Sequence, residues 1–504
     1  MKRTTLLSMM IPPAFLLTAC GAIAAPQQIV LPQQNDAAYV QAKALLAQAN
    51  KYKINNNKAK NVIIFIGDGM GVSTITPARI LAGQRQGLGG EEYRLAFEQL
   101  PHVALSKTYN ADMQVSDSAS TATAIMSGTR TNFFTLGHND KVKKGDCSTS
   151  AGNKVMNIME LAESKGLATG VVTNTRVTHA TPANGYAHSV DRGWEVDAKM
   201  PAKAIAEGCK DIASQLIDFN YGDGLDVAMG GGRAYFMPKG QQDPVYKNKS
   251  GIRQDGRNLI QEWTEQGGQA AYVYDRQGLA GLDTKNTSKL LGLFQPSHMK
   301  FNADVKPEDS QPTLSEMTST AIDVLSNRDQ GYMLMIEGGL IDKGHHAGNA
   351  ARALDETIEF DKAIQMALGK VDLEETLIIV TADHSHSFTM NGYSERGNPI
   401  LGLVQIGGKP MLDLQDGKPF TSLGYLNGPG AIKGERKHLT QEEATDINFK
   451  QQAAISGAKI FGGETHSGED VAIFAQGPKS HLFQGTVEQN YIFHVMNEAL
   501  GLTQ

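Results

Sequence analysis

The stretch Val62-Ile63-Ile64-Phe65-Ile66-Gly67-Asp68-Gly69-Met70-Gly71 decides how this 504-residue chain is read. Its first five residues are all apolar, mostly β-branched, and leave no polar face. A run of that kind is a strand buried on both sides, as in a parallel sheet covered by helices. The run stops at glycines flanking one acid, which marks a tight turn at the strand's carboxyl end. Similar apolar runs recur at Gly170–Val172, Tyr332–Ile336, Leu377–Val380 and Val471–Phe474. Helical periodicity lies between them. After Gly348, the residues Ala350, Ala353, Thr357, Phe360, Ile364 and Ala367 recur at steps of three and four, giving one buried helix face. The pattern predicts an α/β fold: a large, mostly parallel central sheet with helices on both faces.

Outside these runs the chain changes character. Residues 25–60 are polar and rich in Ala and Gln, with a helical patch near Ala38 to Ala49. Residues 61–504 read as a single domain. An inserted, crown-like region at about 391–463 is rich in Gly and Lys and holds the turn cluster Asn427-Gly428-Pro429-Gly430. A second polar excursion is read at about 237–310. Residues 1–24 read as an export signal, with Lys2 and Arg3 ahead of an apolar Leu6–Leu17 stretch too short to span a bilayer. Its exit has two readings. Leu17-Thr18-Ala19-Cys20 resembles a lipoprotein box, which would lipidate Cys20 and anchor the chain to a membrane; Ala22-Ile23-Ala24 suits ordinary cleavage, which would discard it. Either places the protein in the periplasm or outside the cell. There, oxidising conditions favour a bond between the other two cysteines, Cys147 and Cys209, over two buried thiols.

Lys and Arg total 47 against 53 Asp and Glu, and no basic stripe interrupts this mild acidity. That excludes nucleic acid as the natural partner.

The chemistry gathers at strand ends. Asp68 follows the first apolar run, Glu337 ends the run at Tyr332, and Asp383 with His384 follows the run at Leu377. In open α/β sheets the carboxyl ends of the strands form the ligand edge. Carboxylates crowded there need cations or protons. Asp342 and His346 stand at i, i+4, and Glu464-Thr465-His466 precedes the last apolar run. Carboxylate with imidazole suits Zn²⁺, and no cysteine is placed for a structural zinc. His345 and His386 read as supporting or packing residues. Ser118, in Asp117-Ser118-Ala119-Ser120, begins a stretch of small residues that suits a packed helix. A serine at that N-terminus is either a plain cap or a nucleophile facing an anion. No Ser-His-Asp spacing or nucleophile elbow accompanies it, so a metal would have to activate it.

In their order along the chain, Asp68 in the Gly-Asp-Gly run, Asp117-Ser118-Ala119, Thr178-His179-Ala180-Thr181-Pro182, Glu337, Asp342 with His346, Thr381-Ala382-Asp383-His384 and Glu464-Thr465-His466 resemble the alkaline phosphatases over about 440 residues. Ile336-Glu337-Gly338-Gly339 and Gly344-His345-His346 look more like the animal enzymes than the enteric bacterial one, as does the pairing of Cys147 with Cys209. The resemblance implies a homodimer that hydrolyses phosphomonoesters broadly through a phosphoserine at Ser118, with an alkaline optimum. It implies one Zn²⁺ on Asp342, His346 and His466, and a second on Asp68, Asp383 and His384. A third ion, usually Mg²⁺, would sit on Asp68, Thr181 and Glu337. Arg192 falls where the family's phosphate-binding arginine stands. Beside the third position this chain has His179 and Lys343, one from each of the two family patterns. An imidazole there would pull that position toward Zn²⁺. A sulfatase is excluded, since no Cys/Ser-x-Pro-x-Arg context is present.

Overall fold

The computed structural model describes residues 31–267, 269–458 and 463–503. The residues read as an export signal, Cys20 among them, lie outside these. The chain divides into two units, one ending at Lys53 and the other beginning at Ile54. The first holds helix α1, Ala37–Ala49, whose N-cap Asp36 accepts from the Ala38 and Tyr39 amides.

In the second unit, ten strands form one sheet. They are β1 Asn61–Gly67, β2 His102–Ser106, β3 Ala168–Arg176, β4 Val227–Gly231, β5 Ala270–Val273, β6 Lys289–Leu293, β7 Tyr332–Glu337, β8 Thr376–Ala382, β9 Val471–Gln476 and β10 Thr486–Val487. Their spatial order is β10-β2-β9-β8-β1-β7-β3-β4-β6-β5. Neighbours run parallel except β9, which is antiparallel to both β8 and β2. Strand alternation splits the core into two layers. Ile63 and Phe65 face Met317, Ala321, Phe360 and Ile364, from helices α5 (Leu314–Leu325) and α7 (Ala350–Lys370). Val62, Ile64 and Ile66 face Ala119, Ile125, Met159 and Met496, from α3 (Ser118–Ser127), α4 (Ile158–Ser164) and α8 (Tyr491–Leu500). Each such large apolar side chain contributes about 1.5–3 kcal/mol by leaving water. The periodic face predicted after Gly348 is buried along α7.

Two sequence readings are refined by the structure. The polar excursion at 237–310 also contributes β5 and β6 to the sheet. Their signals are weak: β5 is a half-buried edge strand, and β6 opens on a lysine. β3 also runs past Val172 through Thr173-Asn174-Thr175-Arg176, polar residues that are nevertheless mostly buried. The region at 391–463 takes part in small sheets of its own, one joining Phe388–Met390, Leu423–Asn427 and Ala453–Ile455. Cys147 and Cys209 are joined by a disulfide, beside a small core of Val142, Val190 and Trp194. Among the described residues, no helix is long and apolar enough to cross a membrane.

Candidate active site

Register brings the acids together. Ile66 of β1 pairs with Glu337 of β7 on one side and with Thr381 of β8 on the other, and Gly67 pairs with Ala382. Asp68 and Asp383, each one residue past its strand, therefore share an edge with Glu337. Because β9 runs backwards, its first residues come to that same edge, and the segment before it delivers His466. The antiparallel strand thus places a histidine that a parallel one would carry away.

Helix α6, Leu340–His346, follows β7 and presents Asp342 and His346 on one face. Gly344 lets it lie against α7: a Cβ there would stand 2.7 Å from the Ala353 nitrogen. Asn174 holds its start, accepting from the Leu340 amide at 3.0 Å and donating to Glu356 at 2.9 Å. Gly69, at φ +73°, makes the turn after β1; a Cβ there would strike the His386 ring at 2.3 Å.

Imidazoles crowd one side of the pocket. Asp342 Oδ1 lies 3.1 Å from His346 Nε2, 3.0 Å from His386 Nε2 and 3.4 Å from His466 Nε2. His386 Nδ1 meets the Glu464 carboxylate at 2.6 Å. So His386 touches Asp342 itself, more closely than a packing residue would. His345 does pack, with its nitrogens bonded to Thr74 and Tyr425.

Oxygen donors line the other side. Glu337 Oε2 accepts from Thr173 and, at 2.9 Å, from Thr175. Asp68 Oδ2, Glu337 Oε1, Thr181 Oγ1 and His179 Nδ1 are buried and make no hydrogen bond among the described residues. Such atoms are costly unless something else satisfies them. Asp68, His179 and Glu337 form one group able to hold a cation, and Asp68, Asp383 and His384 form another. A third joins Asp342, His384, His386 and His466. The donor sets fit divalent metals: nitrogen-rich for zinc on one side, oxygen-rich on the other.

Electrostatics agrees. Burial, then Asp383 and Asp342, lifts the Asp68 carboxyl well above the usual range. Burial pushes Glu337 up to about 7, against the hydrogen bonds from Thr173 and Thr175. It also pushes His384 and His466 down to about 3. The protein alone under-compensates these acids, and a cation would relieve them.

Ser118 sits between the two sides. It is the first residue of α3, one past the N-cap Asp117. Its Oγ lies 3.1 Å from His384 Nε2 and 3.3 Å from Asp68 Oδ1. Arg192 reaches the same region, donating from Nη1 to Asp117 at 2.9 Å and from Nη2 to His179 Nε2 at 3.2 Å. Lys343 Nζ lies 3.0 Å from Asp342 Oδ2. Sequence reasoning missed His298, whose ring packs edge-on against His179 at 5.3 Å. It lies in the region read as a polar excursion, and no motif marks it.

The alkaline phosphatase family model matches residues 59–502. The chain is 45% identical over 494 residues to the tissue-nonspecific alkaline phosphatase isozyme of Gallus gallus, covering 96% of this chain and 93% of that one. It is 46% identical over 452 residues to the Homo sapiens isozyme, covering 88% and 84%. The solved alkaline phosphatase of the Antarctic bacterium TAB5 aligns with a TM-score of 0.60 at 26% identity, over 89% of this chain and all of that one. That of Thermus thermophilus, at 21% identity, covers 90% and 94% with a TM-score of 0.63 and shares the fold. This chain belongs to the alkaline phosphatase family, enzymes that hydrolyse phosphomonoesters with divalent metal ions.

Proposed function

We propose that the enzyme works through a phosphoserine at Ser118, with two Zn²⁺ and a third ion, on a broad range of phosphomonoesters and best at alkaline pH. The observation that carries this is the position of Ser118 Oγ, 3.1 Å from His384 and 3.3 Å from Asp68, at a helix N-terminus. Asp68, Asp383 and His384 would hold the zinc beside the serine, and Asp342, His346 and His466 the other. Asp68, Thr181 and Glu337 would hold Mg²⁺, or Zn²⁺ if His179 joins them. When bound, these ions supply Lewis acidity, which lowers the pKa of a hydroxyl and steadies charge on a leaving oxygen.

Ser118 Oγ, losing its proton, attacks phosphorus in line with the leaving alkoxide. The ester P–O bond breaks, the alkoxide takes a proton and leaves as the alcohol, and the phosphoryl group stays on the serine. Water then attacks phosphorus from the opposite face, and inorganic phosphate departs as the serine is restored. Arg192 holds the non-reacting oxygens with the N–H groups that Asp117 and His179 do not use. Lys343, half-buried beside Asp342, adds positive charge. Export through the signal at 1–24 suits a scavenger of phosphomonoesters in the periplasm or outside the cell, with Cys20 either lipidated or discarded. Resemblance to the family supports a homodimer.

The test is Ser118→Ala assayed with p-nitrophenyl phosphate, beside metal analysis. Turnover should vanish while metal content stays. Full monoesterase activity in that variant would remove Ser118 as nucleophile. An intact mass of the mature N-terminus decides the fate of Cys20.

A further inference from the structure

Asn132, Phe133, Phe134 and Thr135 make a four-residue turn, closed by Thr135 N donating to the Asn132 carbonyl at 3.1 Å. At its third place Phe134 takes φ +69°. Turns with a positive φ at that place favour glycine there, because a side chain crowds the backbone. Among the described residues, Phe134 and Lys479 are the only residues other than glycine with a positive φ. A bulky residue so placed is strained, and strain of this kind collects at functional sites, where the surroundings hold it.

The surroundings here are Arg192 and its anchor. Phe134 N donates to Asp117 Oδ1 at 3.0 Å, and the Phe134 carbonyl accepts from Arg192 N at 2.8 Å. The other Asp117 oxygen accepts from Arg192 Nη1 at 2.9 Å. Leu136 and Ser189 exchange backbone bonds at 2.9 and 3.0 Å, which ties the two segments together beyond the turn. The backbone would make all of these bonds with glycine at 134. What phenylalanine adds is the ring. It is half-buried, and among the described residues it joins neither layer of the core. The Arg192 guanidinium carbon lies 5.9 Å from its centroid, and the Lys144 ammonium stands over it at 3.6 Å. Phe133 meets it edge-on at 4.5 Å. An aromatic face attracts cations, most often a guanidinium.

We infer that Phe134 is a positioning residue for Arg192: the strained turn sets an aromatic face against the guanidinium and limits where it can point before phosphate arrives. The inference rests on Arg192 holding phosphate, as under Proposed function. Hydrogen bonds at Nη1 and Nη2 fix one edge of the guanidinium. A planar group held by its edge can still tilt, and a ring beside it restricts the tilt. A long side chain that waits in one orientation gives up less freedom on binding, so its ligand is held more tightly.

The experiment measures the inhibition constant of inorganic phosphate against p-nitrophenyl phosphate on metal-replete enzyme. Phe134→Gly keeps the turn and its backbone bonds, relieves the φ strain and removes the ring. It should weaken phosphate about three- to tenfold, with KM rising in step and metal content unchanged. Phe134→Tyr keeps the ring face and should stay within about twofold of wild type. In an Arg192→Ala background, Phe134→Gly should change the constant by less than about twofold, because its partner is gone. A role in packing alone would move the melting temperature and leave the two residues independent. Unaltered phosphate affinity in Phe134→Gly overturns the inference, and so does an equal loss with or without Arg192. A loss in Phe134→Tyr as large as in Phe134→Gly overturns it too. If Phe134→Gly fails to fold, Phe134→Leu stands in: it keeps bulk but has no aromatic face, and normal affinity in it overturns the inference. Arg192→Ala with unaltered phosphate affinity overturns the reading of Arg192 itself. A loss there with none in Phe134→Gly overturns the positioning role alone.

Discussion

On the side of Asp342 three imidazoles are held in place by the protein itself; on the side of Glu337 several buried atoms are left without a protein partner. His346 Nδ1 donates to the Glu464 carbonyl at 2.6 Å, and His466 Nδ1 donates to the Ser116 carbonyl at 2.8 Å. Burial opposes a charge on His386, yet Glu464 and Asp342 hold its pKa up at about 10. Each ring is thereby fixed from behind, with Nε2 turned toward Asp342. That is how proteins orient metal-ligating histidines. Across the pocket, Asp68, Thr181, Glu337 and His179 each keep an atom with no protein partner. His346, His386 and His466 are preorganised by hydrogen bonds, whereas the oxygen side reaches full satisfaction only with a cation. Metal identity should accordingly be firm on the first side and negotiable on the second.

Asp68 is where the comparison breaks most severely, since it belongs to the groups around both Glu337 and His384. Asp68→Asn should lower kcat by about a thousandfold or more. It should also empty the third position and the one beside Ser118. The ion near Asp342 should remain, and metal counts per chain would show this. Loss of all three ions at once would mean that the two sides are not separable. A gentler test strips the enzyme with a chelator and refills it. Zinc alone should restore part of the activity, and added Mg²⁺ should raise it severalfold. Full activity from zinc alone would remove the magnesium requirement.

The same division explains what the sequence could tell. Val62–Ile66 announces its strand because nothing polar interrupts it, and the acids at strand ends are legible because a parallel sheet collects them on one edge. Asp342 with His346 is legible through helical spacing. Thr173, Asn174 and Thr175 are not, because polar residues in a buried strand look like a loop until Glu337 and Leu340 are placed beside them. His298 and His386 depend on contacts between segments distant in sequence, and no local pattern carries that information. The edge strand β5 escapes notice because its burial, and hence its apolar signal, is incomplete.

A histidine away from the metal groups sharpens the contrast at smaller effect. His138 is fully buried, and both its nitrogens are partnered, Nδ1 with the Leu136 carbonyl and Nε2 with Ser150. Burial pushes its pKa down to about 4. The unfolded chain binds this proton near pH 6.5, whereas the folded chain resists it. The neutral ring's contribution is therefore present above pH 6.5 and is lost as pH falls toward 4, by about 3 kcal/mol at most. Denaturant unfolding of wild type and His138→Gln across that window should show a shallower pH dependence in the variant. Identical slopes would rule out His138 as the titrating group. Metal removal should leave this histidine's share unchanged, unlike that of His384 or His466.

The smallest expected effect lies behind Glu337. Thr173 donates to its carboxylate and accepts from the Thr175 amide at 2.8 Å. Thr173→Val keeps the β-branched shape that suits the strand and removes only the hydroxyl. Glu337 keeps the bond from Thr175, but its charged form loses one donor in a fully buried place, so its readiness to stay ionised falls. Removing a group that orients a ligand typically costs ten- to a hundredfold in metal affinity, and with Thr175 still in place the loss should sit near tenfold. It should appear as a higher Mg²⁺ requirement at the third position. Zinc affinity near Asp342 should not move, because His346 and His466 are held there by the carbonyls of Glu464 and Ser116, which Thr173 does not touch. If zinc affinity drops in step with magnesium, the carboxylates act as one electrostatic unit across the whole pocket, and the independence of its two sides fails.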